Sequence, residues 1–520
     1  GRPGTRGHRT LCAHSLLPRR LVWVWSMPVL EETATAETAC ISTAPTFEQE
    51  AGRPDGARKA RDAGWWAFME HNGDRDPSAS SSWKISALWC SWLMAFASMA
   101  LIPAQEHWWL FNGTVMALVL LTIWIPDQGD TVIPYYCIII LPIVVFKSVA
   151  LGGLWTFGIL GYAFVVVPFW DCFVGVDVGN NTKEVQKELH EAFRFELLTL
   201  LVAPGILACL VYGSWLANSG GLSVVELFGL SLSVGVITGV VGIVAGHELC
   251  HRASWYERLL GRLLLCCASY GHFYLEHTLG HHKWVGTDHD PATSRYGESF
   301  YAFLPRVVKG EFLSAWRIES DRLRRRGLAW WHREIPAYFL ASLTVACSLA
   351  CLTGPMAFPF FVVQCVVAII LFQSVNYVEH YGLERAELQP GQYEIVQPKH
   401  SWDAPTRITN HIMFRLQRHA DHHAHAGKRY QTLQAYDSAA QAPSGYATML
   451  LLAFVPPLWR SVMHPRLLQH RRQQIGQRFR YGPSPGLEAA EPPAKATAEE
   501  DLASASDERT ASLRLRSAGA

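Results

Sequence analysis

Charge is scarce in this 520-residue sequence: Asp, Glu, Lys and Arg make up 17% of it, against about a quarter in ordinary soluble domains. With half of the residues hydrophobic, that scarcity excludes a disordered chain and a charged coiled coil. The 45 Lys and Arg nearly balance the 44 Asp and Glu, for a net charge of +1, so no general basic field marks nucleic acid as a partner. No Cys-x-x-Cys spacing occurs, and the 12 cysteines lie mostly inside apolar runs, among them Cys209, Cys347 and Cys365. Neither a disulfide framework nor a zinc or iron–sulfur knuckle is expected. What is left is a membrane protein.

The apolar residues fall in runs long enough to cross a bilayer core, which takes about 20 helical residues. They come in pairs: Ile85–Pro103 with Trp108–Ile125, Val132–Val149 with Leu154–Trp170, Leu197–Leu216 with Leu222–Gly246, and Pro336–Leu352 with Phe358–Val378. A helix satisfies every backbone polar group internally, as lipid requires. Each hairpin leaves and returns on one side, so 246–334 and 379 onward share a face. That face carries Arg252, Arg258, Arg262, Lys283 and the Arg324–Arg326 run, whereas the short opposite loops carry no Lys or Arg; the bias places it in the cytosol or its equivalent. Residues 1–84, Arg-rich and acid-poor at their start, read as a disordered or organelle-targeting extension. Residues 85–125 read as an extra hairpin, 126–468 as the functional membrane domain, and 469–520 as a disordered tail rich in Ala, Ser, Glu and Pro.

The chemistry lies in four histidine clusters on the cytosolic face. His247 and His251, in Gly-His-Glu-Leu-Cys-His-Arg, continue a span and stand four apart on one helix face. Glu276-His277-Thr278-Leu279-Gly280-His281-His282 repeats that spacing and adds a neighbour; His380 emerges from the last span beside Glu379; and His419, His422 and His423 form the last set. One metal cannot use nine imidazoles. Two octahedral metals offer twelve positions with room for oxygen or water, imidazole suits iron, zinc and copper, and two irons fit best. His247-Glu248-x-x-His251 also matches a zinc-protease pattern with Glu248 as base, but that leaves six histidines without a role. Glu379 is the expected catalytic carboxylate, placed to bridge, to ligate or to orient a neighbour. Glu276, Asp290 and Asp421 are expected to accept the second N–H of a ligating imidazole.

In this order, and with Asp290-Pro291-Ala292-Thr293-Ser294-Arg295 and Asn376-Tyr377-Val378-Glu379-His380-Tyr381-Gly382 among them, these motifs resemble the alkane 1-monooxygenase family, within the membrane fatty acid desaturase and hydroxylase superfamily. The resemblance covers about 132–468. It implies an all-α integral-membrane bundle of six transmembrane helices, or eight if 85–125 also spans, with a cytosol-facing di-iron cap for which the nine histidines are the ligands. It also implies insertion of one atom of O2 into the terminal C–H bond of an alkane. Electrons would come from a separate rubredoxin- or ferredoxin-type donor with its NAD(P)H reductase, because the Cys-x-x-Cys pairs of a fused rubredoxin are missing. An alkane has no polar handle, so an apolar slot between helices, ending beneath the irons, would set specificity. A fatty-acyl desaturase or lipid hydroxylase would use the same irons on a substrate with a polar head. A non-catalytic membrane metal-binding protein would hold its polar ligands nearer the midplane.

Overall fold

The computed structural model describes residues 140–485 apart from Pro405, together with Gly1, Val132, Tyr135, Tyr136 and Ile138. The expected hairpin at 85–125, nearly all of 1–84, and 486–520 lie outside the described residues. The described chain is helical: α1 (Ile140–Leu151), α2 (Gly153–Cys172), α3 (Lys183–His190), α4 (Phe193–Asn218), α5 (Val224–Cys250), α6 (Trp255–Cys267), α7 (273–284) and α8 (Phe300–Arg325). There follow α9 (Ile335–Thr353), α10 (Ala357–His380), α11 (Arg407–Ile412), α12 (His419–Ala424), α13 (Tyr446–Ala453) and α14 (Pro456–Arg472). Two small two-stranded pairings complete it, β1 (Glu387–Gln389) antiparallel to β2 (Gln392–Tyr393), and β3 (Trp402–Asp403) parallel to β4 (Ala440–Gln441).

Among the described residues five helices, α2, α4, α5, α9 and α10, are long and apolar enough to cross a membrane. Among the described residues the run Val132–Val149 yields the 12-residue α1. Pro142 is tolerated only in the first turn of α1, and 12 residues rise about 18 Å, well short of a bilayer core.

Small residues bring the site-bearing spans together. A Cβ on Gly235 of α5 would lie 2.8 Å from the Gln364 carbonyl oxygen and 2.7 Å from Val367 Cβ, and one on Gly239 would lie 3.1 Å from Ala368 Cα. The two glycines are four apart and form a small-x-x-x-small seam, the device by which helices in lipid approach closely. The contacts advance in the same direction along both helices, so α5 and α10 run parallel and end together. Their C-terminal ends carry His247, His251 and His380.

The ordered chain also continues past Leu468, where a disordered tail was expected. Arg471 is buried and donates to the carbonyls of Gly382 (2.6 Å), Tyr481 (2.7 Å) and Pro483 (3.0 Å) and to Glu384 Oε1 (3.1 Å). Polar composition suggested disorder, but a buried guanidinium needs hydrogen-bond acceptors, and folding the segment back over Gly382–Glu384 supplies them to both terminal nitrogens.

Candidate metal centre

Each cluster is presented by a helix end, and the ends converge. His247, His251, His277, His282 and His422 offer ring nitrogens that all lie within 4.8 Å of one another, and His281, His380, His419 and His423 form a second such set. All nine are thus brought together, five and four. His251 and His282 are half-buried and the other seven are buried.

For six of the nine the converging nitrogen is Nε2. The Nε2 of His277 lies 2.9 Å from that of His251 and 3.0 Å from that of His282, and the Nε2 of His419 lies 3.2 Å from that of His380 and 2.9 Å from that of His423. The Nε2 atoms of His247, His281 and His422 are buried with no hydrogen-bond partner among the described residues. One proton per neutral imidazole cannot satisfy such an array by mutual hydrogen bonding, and buried nitrogens without partners are costly. A cation at the focus of each set satisfies all of them, so the donor chemistry fits metal binding. Burial supports this by keeping the rings neutral with their lone pairs free: it pushes the pKa of His251, His277, His282, His419, His422 and His423 well below the usual imidazole range, and neighbouring imidazoles push it further.

Helix type decides which histidine goes where. Residues 277–281 form a π-helical turn, whose hydrogen bonds join residues five apart. His277 and His282 therefore fall in the same set, while His281, four from His277, falls in the other. In α12 the ordinary spacing holds, and His419 and His423 share a set.

Behind the imidazoles stand carboxylates. Asp290 Oδ2 lies 3.0 Å from His281 Nδ1 and accepts from the Thr293 hydroxyl at 2.6 Å, while Oδ1 accepts from the Ala292 N–H at 3.0 Å. Although burial works against its charge, His281 and Thr293 hold its carboxyl below the usual range. Glu379 Oε1 lies 3.3 Å from Nδ1 of His419, on the face of the ring away from the converging nitrogens, and contributes no atom to either set. Glu276 is fully buried with neither oxygen hydrogen-bonded among the described residues. Asp421 is placed otherwise than expected. Its carboxylate accepts from His425 Nδ1 (2.7 Å), Lys428 Nζ (2.9 Å), the Gln434 N–H (2.8 Å) and the Tyr436 hydroxyl (3.1 Å), and from none of the nine histidines. Helical geometry is the reason: a residue two after His419 and one before His422 points away from the face they share. Glu248, the base of the protease pattern, is occupied by the Tyr430 N–H at 3.1 Å and Arg252 at 3.3 Å.

Beneath the histidines lies an apolar cavity of about 690 Å³ including its open mouth, walled in part by Val236, Val240 and Val244 of α5, Phe372 and Val375 of α10, and Leu416. Val244 and Leu416 each stand three residues before a histidine of the cluster, His247 and His419, and Val375 stands four before Glu379. Phe372 packs edge-on against Phe273 at 4.7 Å, and Phe273 stacks on His277 at 4.7 Å. One aromatic ring thus separates the cavity wall from the nitrogen cluster.

Residues 222–453 match the family model described as fatty acid desaturase. The chain is 41% identical over 324 residues to "Alkane 1-monooxygenase 2" of Pseudomonas aeruginosa, covering 60% of this chain and 84% of the relative. It is 39% identical over 338 residues to "Alkane 1-monooxygenase 1" of the same organism, 62% of this chain and 85% of the relative. To the hydroxylase component of a Pseudomonas putida xylene/toluene monooxygenase it is 27% identical over 314 residues, 59% of this chain and 81% of the relative. Identity of that extent over most of the relatives' length, on a chain whose helices converge nine histidines above an apolar cavity, means that this protein belongs to the alkane 1-monooxygenase family.

Proposed function

We propose that the protein hydroxylates alkanes at their terminal carbon with O2, using two non-haem irons held by the five- and four-nitrogen sets and electrons from a separate rubredoxin- or ferredoxin-type donor. The division of nine imidazole nitrogens into two compact sets directly above an apolar cavity carries this reading. When bound, the irons supply activation of O2 and cleavage of an unactivated C–H bond, which no side chain does alone.

The chain's own residues do the rest. Asp290 stands at Nδ1 of His281 and, by accepting its proton, leaves Nε2 as the donor nitrogen and fixes the plane of the ring, while Glu379 lies 3.3 Å from Nδ1 of His419 without a hydrogen bond and confines that ring from behind. Glu379 is then a positioning group. The walls from Val236 to Leu416 exclude water and admit a chain end first, since Thr409 is the one hydroxyl residue among the lining residues and its hydroxyl is committed to Asp171. The half-buried edges of His251 and His282 form the side on which a donor protein approaches. That side faces the cytosol by the cationic bias of its loops, with α1 and the five longer helices forming the bundle around the site.

Expression of the full chain with a rubredoxin, its reductase and NADH, supplied with octane and hexadecane, tests the reading by gas chromatography. A 1-alkanol that vanishes in His281→Ala is expected. Unreacted alkanes with a protein that holds two irons would move the substrate to acyl lipids.

A further inference from the structure

A second buried polar cluster centres on Glu311 of α8. Glu311 is fully buried; its Oε2 accepts from the Tyr270 hydroxyl at 2.6 Å and from Gln373 Nε2 at 2.7 Å, while its Oε1 has no partner among the described residues. Gln373 accepts in turn from Asn376 at 3.1 Å, one turn before the Glu379–His380 end of α10. Glu276, with both oxygens unpartnered, and Asp290, held against His281, are near enough to act on Glu311 electrostatically. The ionisable groups that act on Glu311 are Tyr270, His281, Asp290 and Glu276. No Lys or Arg forms an ion pair with it among the described residues.

A buried carboxylate with no counter-ion is stable only if it can hold a proton. Burial lifts the Glu311 carboxyl, its hydrogen bonds and His281 pull it back, and the balance pushes it up to about 7. A group poised there both gives and regains a proton at working pH. Ser314, one turn along α8 and half-buried, borders Glu276: a Cβ on Gly280 would meet Glu276 Oε1 at 2.9 Å and Ser314 Oγ at 3.4 Å.

The inference rests on the hydroxylase reading above. That reaction is R–H + O2 + 2 e⁻ + 2 H⁺ → R–OH + H2O: one oxygen atom enters the C–H bond, the other leaves as water, the donor protein supplies the electrons, and two protons must reach a site whose substrate side is apolar. We propose that Glu311 is the proton store of this reaction, delivering protons toward the His281 end of the site, on the side where Glu276 and Asp290 stand, and refilled from the surface past Ser314.

Two measurements on the full chain in lipid nanodiscs test this. Infrared difference spectra between pH 5 and 9 should show a protonated-carboxyl band that titrates near pH 7 and is missing in Glu311→Gln. In turnover, Glu311→Gln should keep its iron and its KM for alkane, lose about 100-fold in kcat, and lose the wild-type decline of kcat above pH 7; Glu311→Asp should recover part of the rate. If the variant fails to fold, Gln373→Met serves instead, because loss of one donor to Oε2 should move the band midpoint upward. A band that does not depend on Glu311, a midpoint unmoved in Gln373→Met, or an iron-loaded Glu311→Gln with the wild-type rate and pH profile would overturn the proposal. If wild type oxidised no alkane at all, the hydroxylase reading would fail by itself, and the infrared titration would still decide whether Glu311 holds the proton.

Discussion

His281 and His282 are consecutive residues whose ring nitrogens belong to different sets, His281 with His380, His419 and His423, and His282 with His247, His251, His277 and His422. A single peptide therefore ties the two sets together. Loss of either imidazole should empty mainly its own set: His281→Ala and His282→Ala should each hold about one iron in place of two, and the double variant close to none. Metal analysis of the purified proteins checks this, and equal loss of both irons from each single variant would refute independent sets. Activity should fall at least 100-fold in both, since each metal is needed for the chemistry.

The cavity walls predict a length selection. Val236 stands eight residues before Val244, about 12 Å farther from the histidines along α5. Val236→Phe should shorten the slot from its far end and lower kcat/KM for hexadecane about tenfold while sparing octane, a difference of about 1.4 kcal/mol. Competition between the two alkanes, read by gas chromatography, decides it.

Arg471 acts on the metal end of α10 through backbone. It holds the carbonyl of Gly382, whose φ is +69° and whose N–H donates to Ser294 at 2.9 Å, just two residues beyond His380. Arg471→Ala leaves the buried Gly382 carbonyl without this donor and Glu384 without its cation, and should cost about 3 kcal/mol of stability. The four-nitrogen set should lose its metal first. Thermal melts with metal analysis at increasing chelator concentration measure both effects.

Acid sensitivity should arise in part at Glu394. Burial works against its charge, but the His400 ring at 3.1 Å, the Ala386 N–H at 2.9 Å and the Lys399 ammonium at 2.9 Å overcome it and hold the carboxyl down to about 2. The unfolded chain binds this proton near pH 4.3, so the contribution is complete above that pH and lost as pH falls through about 2. Allowing for solvent screening at a partly exposed site, it amounts to about 1 kcal/mol. Glu394→Gln should lower stability by about 1 kcal/mol at pH 7 and flatten the stability curve between pH 4.5 and 2.5, as read by chemical denaturation.

Much of this protein was legible in the order of its residues. Long uncharged runs must be helices because lipid leaves no other partner for the backbone, and nine histidines in four clusters beside span ends are too many for one metal. Polar composition past Leu468 did not anticipate that Arg471 is buried and that its hydrogen bonds fold the chain to Pro483 back over Gly382–Glu384.

What only the tertiary structure decided is how those residues are shared out. Helical periodicity is local, so it pairs histidines four apart within one helix. The assignment of His281 and His282 to opposite sets follows from a π-turn and from where three other helix ends arrive. Asp421 points elsewhere by ordinary helix geometry alone, two residues after His419 and one before His422. Glu311 carried no signal at all, being 41 residues from Tyr270 and 62 from Gln373. Chain order determined the ligand inventory and the membrane; the convergence of distant helices determined the two sets, the slot beneath them and the buried carboxylate, because burial and contact between remote residues exist only once the chain has packed.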